Sequence, residues 1–441
     1  MLSWLQRIGK MTGSAGNLLT GTVIPLLVMV IVPNFLVCLI YFVVSYGSSF
    51  EKTPEVSLVG IWVDAWTLSS FGSLQTWTFL VGLATYAVLS VILLPGKAYY
   101  GPISAGHAPK YYRNGFLYYI ITMVIAGYII LYQDVRCWSL YLMLPTLVVR
   151  LTIMGTVACF LLYLKGRYAP SLGESSTSGH SISDFFWGLE KHPRLLGGTV
   201  DVKQCINSRF GMMLWQLIVL VCWKASVEDK GWNSAMTTSA LLQTVYIARF
   251  FWWEDGYMHS LGITEDRAGF CIIYGCMVGV PTLYPLTAVC LVEQKWSADL
   301  LLSLLNFVLG VSAIVLNYWA DYQRQVARAT NGKCTIWGHP PRIIKATYRD
   351  SFGKQKISLL LVSGFWSWSR HPNYFFEILS ALLWSVPAGF RSVIPYTYLV
   401  YLTVCLIHRS HRDDAKCCMK YKAYWKEYCW LVRYRMVPFI F

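Results

Sequence analysis

The chain has 441 residues, 56% apolar and only 13% charged. An ordinary soluble domain carries roughly 25% charged residues, so a water-facing surface of normal extent cannot be built here; a soluble globular fold, a disordered tail and a small disulfide scaffold are excluded, and a polytopic membrane protein remains. Thirty-seven Lys and Arg against 22 Asp and Glu give a net charge of +15, which must gather in loops and ends, following the positive-inside rule or facing an anionic ligand.

In chain order, Arg7 and Lys10 precede an apolar run from Leu18 to Tyr46. That run exceeds the roughly 7–15 residues of a cleavable signal core, and is expected to be a retained first helix. Runs that span or nearly span a bilayer follow at Trp77–Leu94, Phe116–Tyr132, Leu140–Leu164, Met212–Trp223, Met236–Phe251, Ala268–Val292 and Leu300–Trp319. Two shorter ones lie at Ile378–Trp384 and Val393–Ile407. The expected fold is all-α, a polytopic integral membrane protein with about ten transmembrane helices. The Ser/Gly-rich stretch ESSTSGHS (174–181) reads as a surface turn. Residues 320–357 and 408–441 are polar and carry eight Lys or Arg each, which places them on the cytoplasmic side. The chain therefore divides into a helical membrane region, 1–319, and a C-terminal portion, 320–441, that includes the last membrane hairpin. With no internal repeat, an inverted-repeat transporter gets no support. With no long soluble basic domain, nucleic acid is not an expected partner. The 13 cysteines are odd in number and form no CxxC pair, so reduced, mostly core cysteines are expected. His408 and His411 are spaced for a metal but lack a third ligand, and no metal is expected.

Three polar clusters could carry chemistry. LVSGFWSWSRHPNYFFE (361–377) brings Arg370, His371, Asn373, Tyr374 and Glu377 together at a membrane edge. Pro372 disfavours a helical His371 and suits the first turn of a helix that starts there. Asn373, Tyr374 and Glu377 then share a face, and a helix N-terminus beside Arg370 suits an anion. An interfacial aromatic belt explains Trp366, Trp368 and Tyr374, but not an ionisable Glu377 entering a lipid helix. HRSHRDDAKCCMKYKAYWKEY (408–428) sets Arg409, Arg412 and Lys416 on a shared helical face with Asp413 and Lys420 nearby, and places Tyr421 and Tyr428 seven apart. Arg forks bind phosphate and Tyr rings stack on heterocycles; a headgroup-binding basic helix is the competing reading. DYQRQVARATNGKCTIWG (321–338) has Arg324 and Arg328 one helical turn apart and a tight turn at Asn331–Gly332. It is not a GxGxxG loop after a strand, so a Rossmann domain is unsupported. Elsewhere Glu254, after two Trp, is a candidate desolvated carboxyl, with Tyr257 beside it. Arg150 lies within an apolar run and needs a partner or an escape to the interface.

LLPGKAYYGPISAGHAPKYYRNG (93–115), DFFWGLEKHPRL (184–195), NSRFGMM (207–213), ARFFWWEDGY (248–257), TNGKCTIWG (330–338), SGFWSWSRHPNYFFEI (363–378) and the tail HRDDAKCCMKYKAYWKEY…YRMVPFIF (411–441) resemble the sterol reductases. Within that family FFWWE, DRAGF, RFGMM and EILSA are most similar to the 7-dehydrocholesterol reductase branch, especially its plant form. RHPNY is instead the spelling of the C14 reductases and the lamin B receptor, and it recurs in isoprenylcysteine-type methyltransferases. Phe376-Glu377 stands where the family has Gly-Asp.

The resemblance implies an NADPH-dependent multi-pass enzyme of the endoplasmic reticulum membrane that reduces the 7,8 double bond of a membrane-embedded 5,7-diene sterol. The C14 reductases are the alternative, followed by a methyltransferase or a non-enzymatic sterol-binding protein. Carried over by motif, cofactor contacts fall on Arg324, Arg328, Leu361, Trp366, Asn373, Tyr374, Asp413, Cys417, Cys418, Met419, Lys420, Tyr421 and Tyr428, with Arg412 beside them on charge spacing. Reducing a carbon–carbon double bond without a carbonyl needs a proton as well as a hydride. Glu377 and Glu254 are the candidate donors, with Tyr257 and Tyr374 as relays or orienters.

Overall fold

The computed structural model describes residues 19–48, 57–70, 74–101, 108–171, 175–294, 298–349 and 353–441. The charged lead-in around Arg7 and Lys10, and Asp350, lie outside the described residues. In chain order the main helices are α1 (Leu19–Tyr46), α2 (Leu58–Ser70), α3 (Leu74–Leu93), α4 (Gly115–Tyr132), α5 (Leu144–Tyr168), α6 (Gln204–Lys230), α7 (Ser234–Trp252), α8 (Phe270–Val292), α9 (Leu300–Ala329), α10 (Pro372–Ser385), α11 (Thr397–Tyr421) and α12 (Ala423–Leu431). Among the described residues seven of these, α1, α3, α4, α5, α6, α8 and α9, are long and apolar enough to cross a membrane. The three other expected runs also form helices, as α7, α10 and α11. Of these, α7 has the length, at 19 residues, but is less apolar than the seven, α10 is short at 14 residues, and α11 turns polar from His408 onward. The chain is an all-α polytopic membrane protein.

Local chemistry sets the boundaries. Asn233 caps α7, its side-chain oxygen accepting from the N–H groups of Ala235 and Met236 at 2.9 and 3.3 Å. The tight turn expected at Asn331–Gly332 closes α9, with both residues at positive φ, 51° and 82°. Pro372 occupies the first turn of α10, and His371 before it is non-helical, as the ring of the following proline requires.

Three antiparallel hairpins punctuate the helices: β1 (Lys97–Tyr100) with β2 (Lys110–Arg113), β3 (Arg194–Leu195) with β4 (Val200–Asp201), and β5 (Ile343–Arg349) with β6 (Gln355–Leu361). In the last, Ile344 pairs with Leu360 and Ala346 with Ser358. The period of two turns Ile344, Ala346 and Leu360 to one face, where they pack against Tyr421, Trp425, Tyr428 and Val432 of α11, α12 and the following loop. Lys345 and Arg349 remain exposed.

The described chain forms two compact units, one of Leu300–Val386 and Tyr396–Phe441, the other of the residues up to Asp299 with Pro387–Pro395. The C-terminal unit begins at Leu300, ahead of the expected division at 320, because α9 is one continuous 30-residue helix. Its length of about 45 Å exceeds the roughly 30 Å of a hydrocarbon core. Exposed Leu301, Leu305 and Val308 suit lipid contact at one end, while Asp321 and Arg324 lie towards the other.

α9 and α10 pack antiparallel. Asn306 donates to the Leu383 carbonyl at 2.8 Å, and Asn317 reaches the Asn373 carbonyl at 2.8 Å. The turn Gly364–Ser367 is pinned to α9 by two bonds, Phe365 N–H to Gln323 Oε1 at 3.0 Å and Trp366 Nε1–H to the Ala320 carbonyl at 2.8 Å. Gly364 makes this approach possible: it sits at φ +64°, and a Cβ there would meet the Gln323 side chain and Ile336 Cγ2. Gly364→Ala should therefore destabilise the protein by about 1–3 kcal/mol, read as a lower midpoint in thermal unfolding of the detergent-solubilised protein. An unchanged midpoint would show that the turn is not so constrained.

Candidate functional site

In the C-terminal unit the three polar clusters of the sequence come together. α9 supplies a ladder of polar groups. Asp321 Oδ1 accepts from Arg324 Nη2 at 2.9 Å and from Asn373 Nδ2 at 3.1 Å. The Arg324 guanidinium lies over the Trp366 ring, 4.4 Å from its centroid, where cation–π attraction holds it flat. Asn317 bridges α10, donating to the Asn373 carbonyl and to Glu377 Oε2 at 2.9 Å. Arg324, Trp366, Asn373 and Glu377 are thus tied together by one helix.

Next to them the buried His371 ring stacks on Tyr374, with centroids 4.7 Å apart and planes 6° from parallel. Its Nε2 lies 3.9 Å from Asp413 Oδ2. Burial, reinforced by Arg324, Arg370, Arg435 and Arg409, pushes the His371 pKa down to about 3. Burial also raises the Asp413 carboxyl, against the opposing pull of Arg324, Lys416, Arg409 and Arg328. The Cys417 thiol is pushed up to about 12, by burial first and then by Asp413. The cluster is a cation-rich, half-buried chamber whose histidine is neutral at physiological pH.

A second network braces it. Asp414 Oδ1 accepts from Arg370 Nη1 and Trp425 Nε1, both at 3.1 Å, and its Oδ2 from Arg435 Nη2 at 3.2 Å. One carboxylate thereby joins the loop before α10 to α11, α12 and the C-terminal segment.

Not every expected contact is placed alike. Leu361 and Trp366 share an apolar cluster with Ala327 and Ile336. Arg328 is exposed near the end of α9, and Arg412 is half-buried next to Asp413. Lys420 lies over the Tyr348 ring at 4.1 Å. Tyr421 and Tyr428 are buried in the hairpin core, with Tyr421 Oη donating to Ser358 Oγ at 3.1 Å, so they serve packing rather than standing as open stacking faces. Cys418 and Met419 are exposed. Sequence reasoning passed over Asn317, the Asp414 brace and the bonds of Asp321. Asp321 did carry a signal, its i, i+3 spacing to Arg324.

The other unit holds the remaining candidates. Glu254 is buried, as expected of a desolvated carboxyl, but Arg209 grips it through both guanidinium nitrogens, with Nη2 at 2.9 Å from Oε2 and Nη1 against Oε1. Ser208 Oγ donates to the same Oε1 at 2.7 Å. Arg209 Nη2 also reaches Asn114 Oδ1 at 2.7 Å, and Tyr118 Oη donates to the Arg209 carbonyl at 2.7 Å. Arg209 sits in the wider π-helical opening of α6 (Gln204–Gly211), where it is fully buried. Tyr257 packs with Tyr111, Met258 and Ile263. Arg150 is buried on α5 with its guanidinium 5.7 Å from the Trp77 ring of α3.

Two predictions follow from these environments. Removing one member of a buried ion pair strands the other, so Arg209→Met should cost about 3–5 kcal/mol, and Arg209→Met with Glu254→Met should recover much of it. Thermal unfolding of the single and double variants checks this, and a double variant no better than the single would refute it. His371, whose folded pKa lies below its ordinary 6.5, stays unprotonated in the folded protein while an unfolded chain takes up the proton. Stability from this group is therefore full above pH 6.5 and declines as pH falls towards 3. His371→Gln should flatten that part of the acid-unfolding profile; an identical profile would exclude His371 as the cause.

Known proteins resemble this chain over most of its length. Residues 19–441 match the model of the Ergosterol biosynthesis ERG4/ERG24 family. The chain is 37% identical to the 7-dehydrocholesterol reductase of Arabidopsis thaliana over 93% of its own length and 95% of that protein. It is 32% identical to the Delta(14)-sterol reductase of Mus musculus over 75% of its own length and 77% of that protein, and 32% identical to the 7-dehydrocholesterol reductase of Xenopus laevis over 65% and 60%. A family match over nearly the whole chain, on an all-helical membrane fold, places this protein in the ERG4/ERG24 sterol reductase family, as a multi-pass membrane oxidoreductase.

Proposed function

We propose that the chain is an NADPH-dependent sterol reductase of the endoplasmic reticulum membrane, acting on the 7,8 double bond of 5,7-diene sterols. The observation that carries the cofactor reading is the excess of cations in the C-terminal unit: Arg324, Arg328, Arg409 and Lys416 all bear on the half-buried carboxylate of Asp413. Such a chamber favours a polyanion, and the phosphates of a dinucleotide supply one. The half-buried Tyr374 and the amide of Asn373 suit a heterocycle at the other end. The likeness to the plant 7-dehydrocholesterol reductase, over nearly the full length of both chains, favours the 7,8 bond.

When bound, the cofactor supplies the hydride; the chain must bind, orient and provide the proton. Glu377 is the better proton donor. Asn317 orients it by donating to its Oε2. Glu254 is a weaker donor because a guanidinium occupies both its oxygens. Tyr257 and Tyr374 remain candidate orienters. The apolar helices before residue 320 are the part of the chain that receives the sterol.

The rival reading is reduction at C14. It rests on the RHPNY sequence and on the likeness to the mouse Delta(14)-sterol reductase. Expression in yeast membranes with gas chromatography of the sterols separates the two: 5,7-dienes should disappear, whereas consumption of 14-unsaturated sterols alone would move the assignment to C14. In the same membranes, Arg324→Ala should raise the KM for NADPH roughly tenfold or more, as expected for the loss of a charge-assisted hydrogen bond, and leave the sterol KM unchanged. An unchanged KM for NADPH would remove Arg324 from the cofactor site.

A further inference from the structure

The amide of Asn373 has an unusual hydrogen-bond inventory. Its Nδ2 donates to Asp321 Oδ1 at 3.1 Å, and its backbone carbonyl accepts from Asn317 Nδ2 at 2.8 Å. Its Oδ1 is buried with no hydrogen-bond partner among the described residues. An amide can turn over and exchange its two ends, but here it cannot do so cheaply. Turning it would set the carbonyl oxygen against the Asp321 carboxylate, two acceptors facing each other. Asp321 is itself held by Arg324 Nη2 at 2.9 Å, so its acceptor position is fixed from the α9 side.

Buried acceptors without partners are rare in native proteins, and this one stands among residues already assigned to the cofactor. We infer that Asp321 is a positioning residue that locks the Asn373 amide with its carbonyl presented to the ligand, and that the group seated there is a hydrogen-bond donor, the carboxamide N–H₂ of the nicotinamide. This rests on the cofactor reading above. The end of the cofactor follows from Asn317, which joins Asn373 to Glu377 through one amide. Hydride and proton go to adjacent carbons of one double bond, so the residue bridged to the proton donor belongs at the nicotinamide end. A phosphate oxygen, which only accepts, would be repelled by the orientation that Asp321 enforces.

The test is the ratio of two dissociation constants for the full chain in detergent micelles, followed by tryptophan fluorescence. The ligands are NADPH and its reduced 3-acetylpyridine analogue, which keeps the ring carbonyl but has a methyl in place of the N–H₂ donor. Binding is the readout because the analogue also differs in redox potential. The wild-type protein should prefer NADPH by about tenfold, the usual scale of one buried hydrogen bond. Asp321→Asn lets the Asn373 amide turn, and should bring the preference down to about twofold. Any loosening of Arg324 or of the fold weakens both ligands together and cancels in the ratio. Asp321→Glu, which keeps an acceptor, should restore part of the preference. If wild-type protein binds the two dinucleotides equally, or if Asp321→Asn weakens both without changing their ratio, the inference is overturned. Failure of wild-type protein to bind NADPH at all would instead overturn the cofactor reading itself. The wild-type comparison stands even if the variants do not fold.

Discussion

The C-terminal unit depends on one helix being longer than a bilayer is thick. A spanning helix need not exceed about 20 residues, and α9 has 30. The surplus is where apolar periodicity gives way to Asn317, Asp321, Gln323 and Arg324. Each of these makes its bond to the segment 364–377: Asn317 to Asn373 and Glu377, Asp321 to Asn373, Gln323 to Phe365, and Arg324 to the face of Trp366. Because all four donors and acceptors ride on a single rigid rod, their spacing is fixed by helix geometry at 1.5 Å per residue. A site built on such a rod is more precise than one built on loops. It also explains why the unit begins at Leu300 and not where the polar sequence begins.

Charge is managed differently in the two units. Around Asp413 the cations outnumber the carboxylates that face them, and the neutral His371 adds no further positive charge. Such an arrangement is costly for the chain alone and is relieved by an anionic ligand. Around Glu254 the opposite holds. Arg209 matches it one to one, Ser208 and Asn114 satisfy further oxygens and nitrogens, and both charges are buried. A neutral pair with most of its hydrogen bonds made is what a helical membrane region can tolerate; a cationic cluster with too few carboxylates suits an anion. Burial alone made Glu254 and Glu377 look equivalent in the sequence, and partnership separates them.

What the sequence made legible follows the range of the interactions concerned. Apolar runs announce helices because periodicity and length are local properties, and the ten expected runs all became helices. The Pro372 start and the Asn331–Gly332 stop are equally local and came out as read. The hairpin β5–β6 was not legible: with Lys345, Arg349, Lys354 and Lys356 in it, the stretch reads as a polar loop, and its inward residues Ile344, Ala346 and Leu360 gain their meaning only from Tyr421 and Trp425, some sixty or more residues away. The Asn114–Arg209–Glu254 network is less legible still, because its members are 95 and 45 residues apart and no spacing rule links them. Tyr421 and Tyr428 show the reverse error. Seven residues apart on a basic helix, they look like stacking platforms, yet the hairpin covers them.

Asp321 illustrates how a negative charge can belong in a site meant for an anion. At first sight a carboxylate paired with Arg324 weakens the attraction for phosphate. Its two bonds show another use. By accepting from Arg324 Nη2 it takes one side of the guanidinium fork, while Trp366 takes one face, so the remaining edge has little freedom of direction. By accepting from Asn373 Nδ2 it settles which end of that amide is outward. On the proposed cofactor reading, one acidic residue thus orders a cation for a phosphate and an acceptor for a donor. Lysine and arginine excess alone would attract any polyanion; under the proposed reading, the carboxylate among them is what would distinguish one end of a bound molecule from the other.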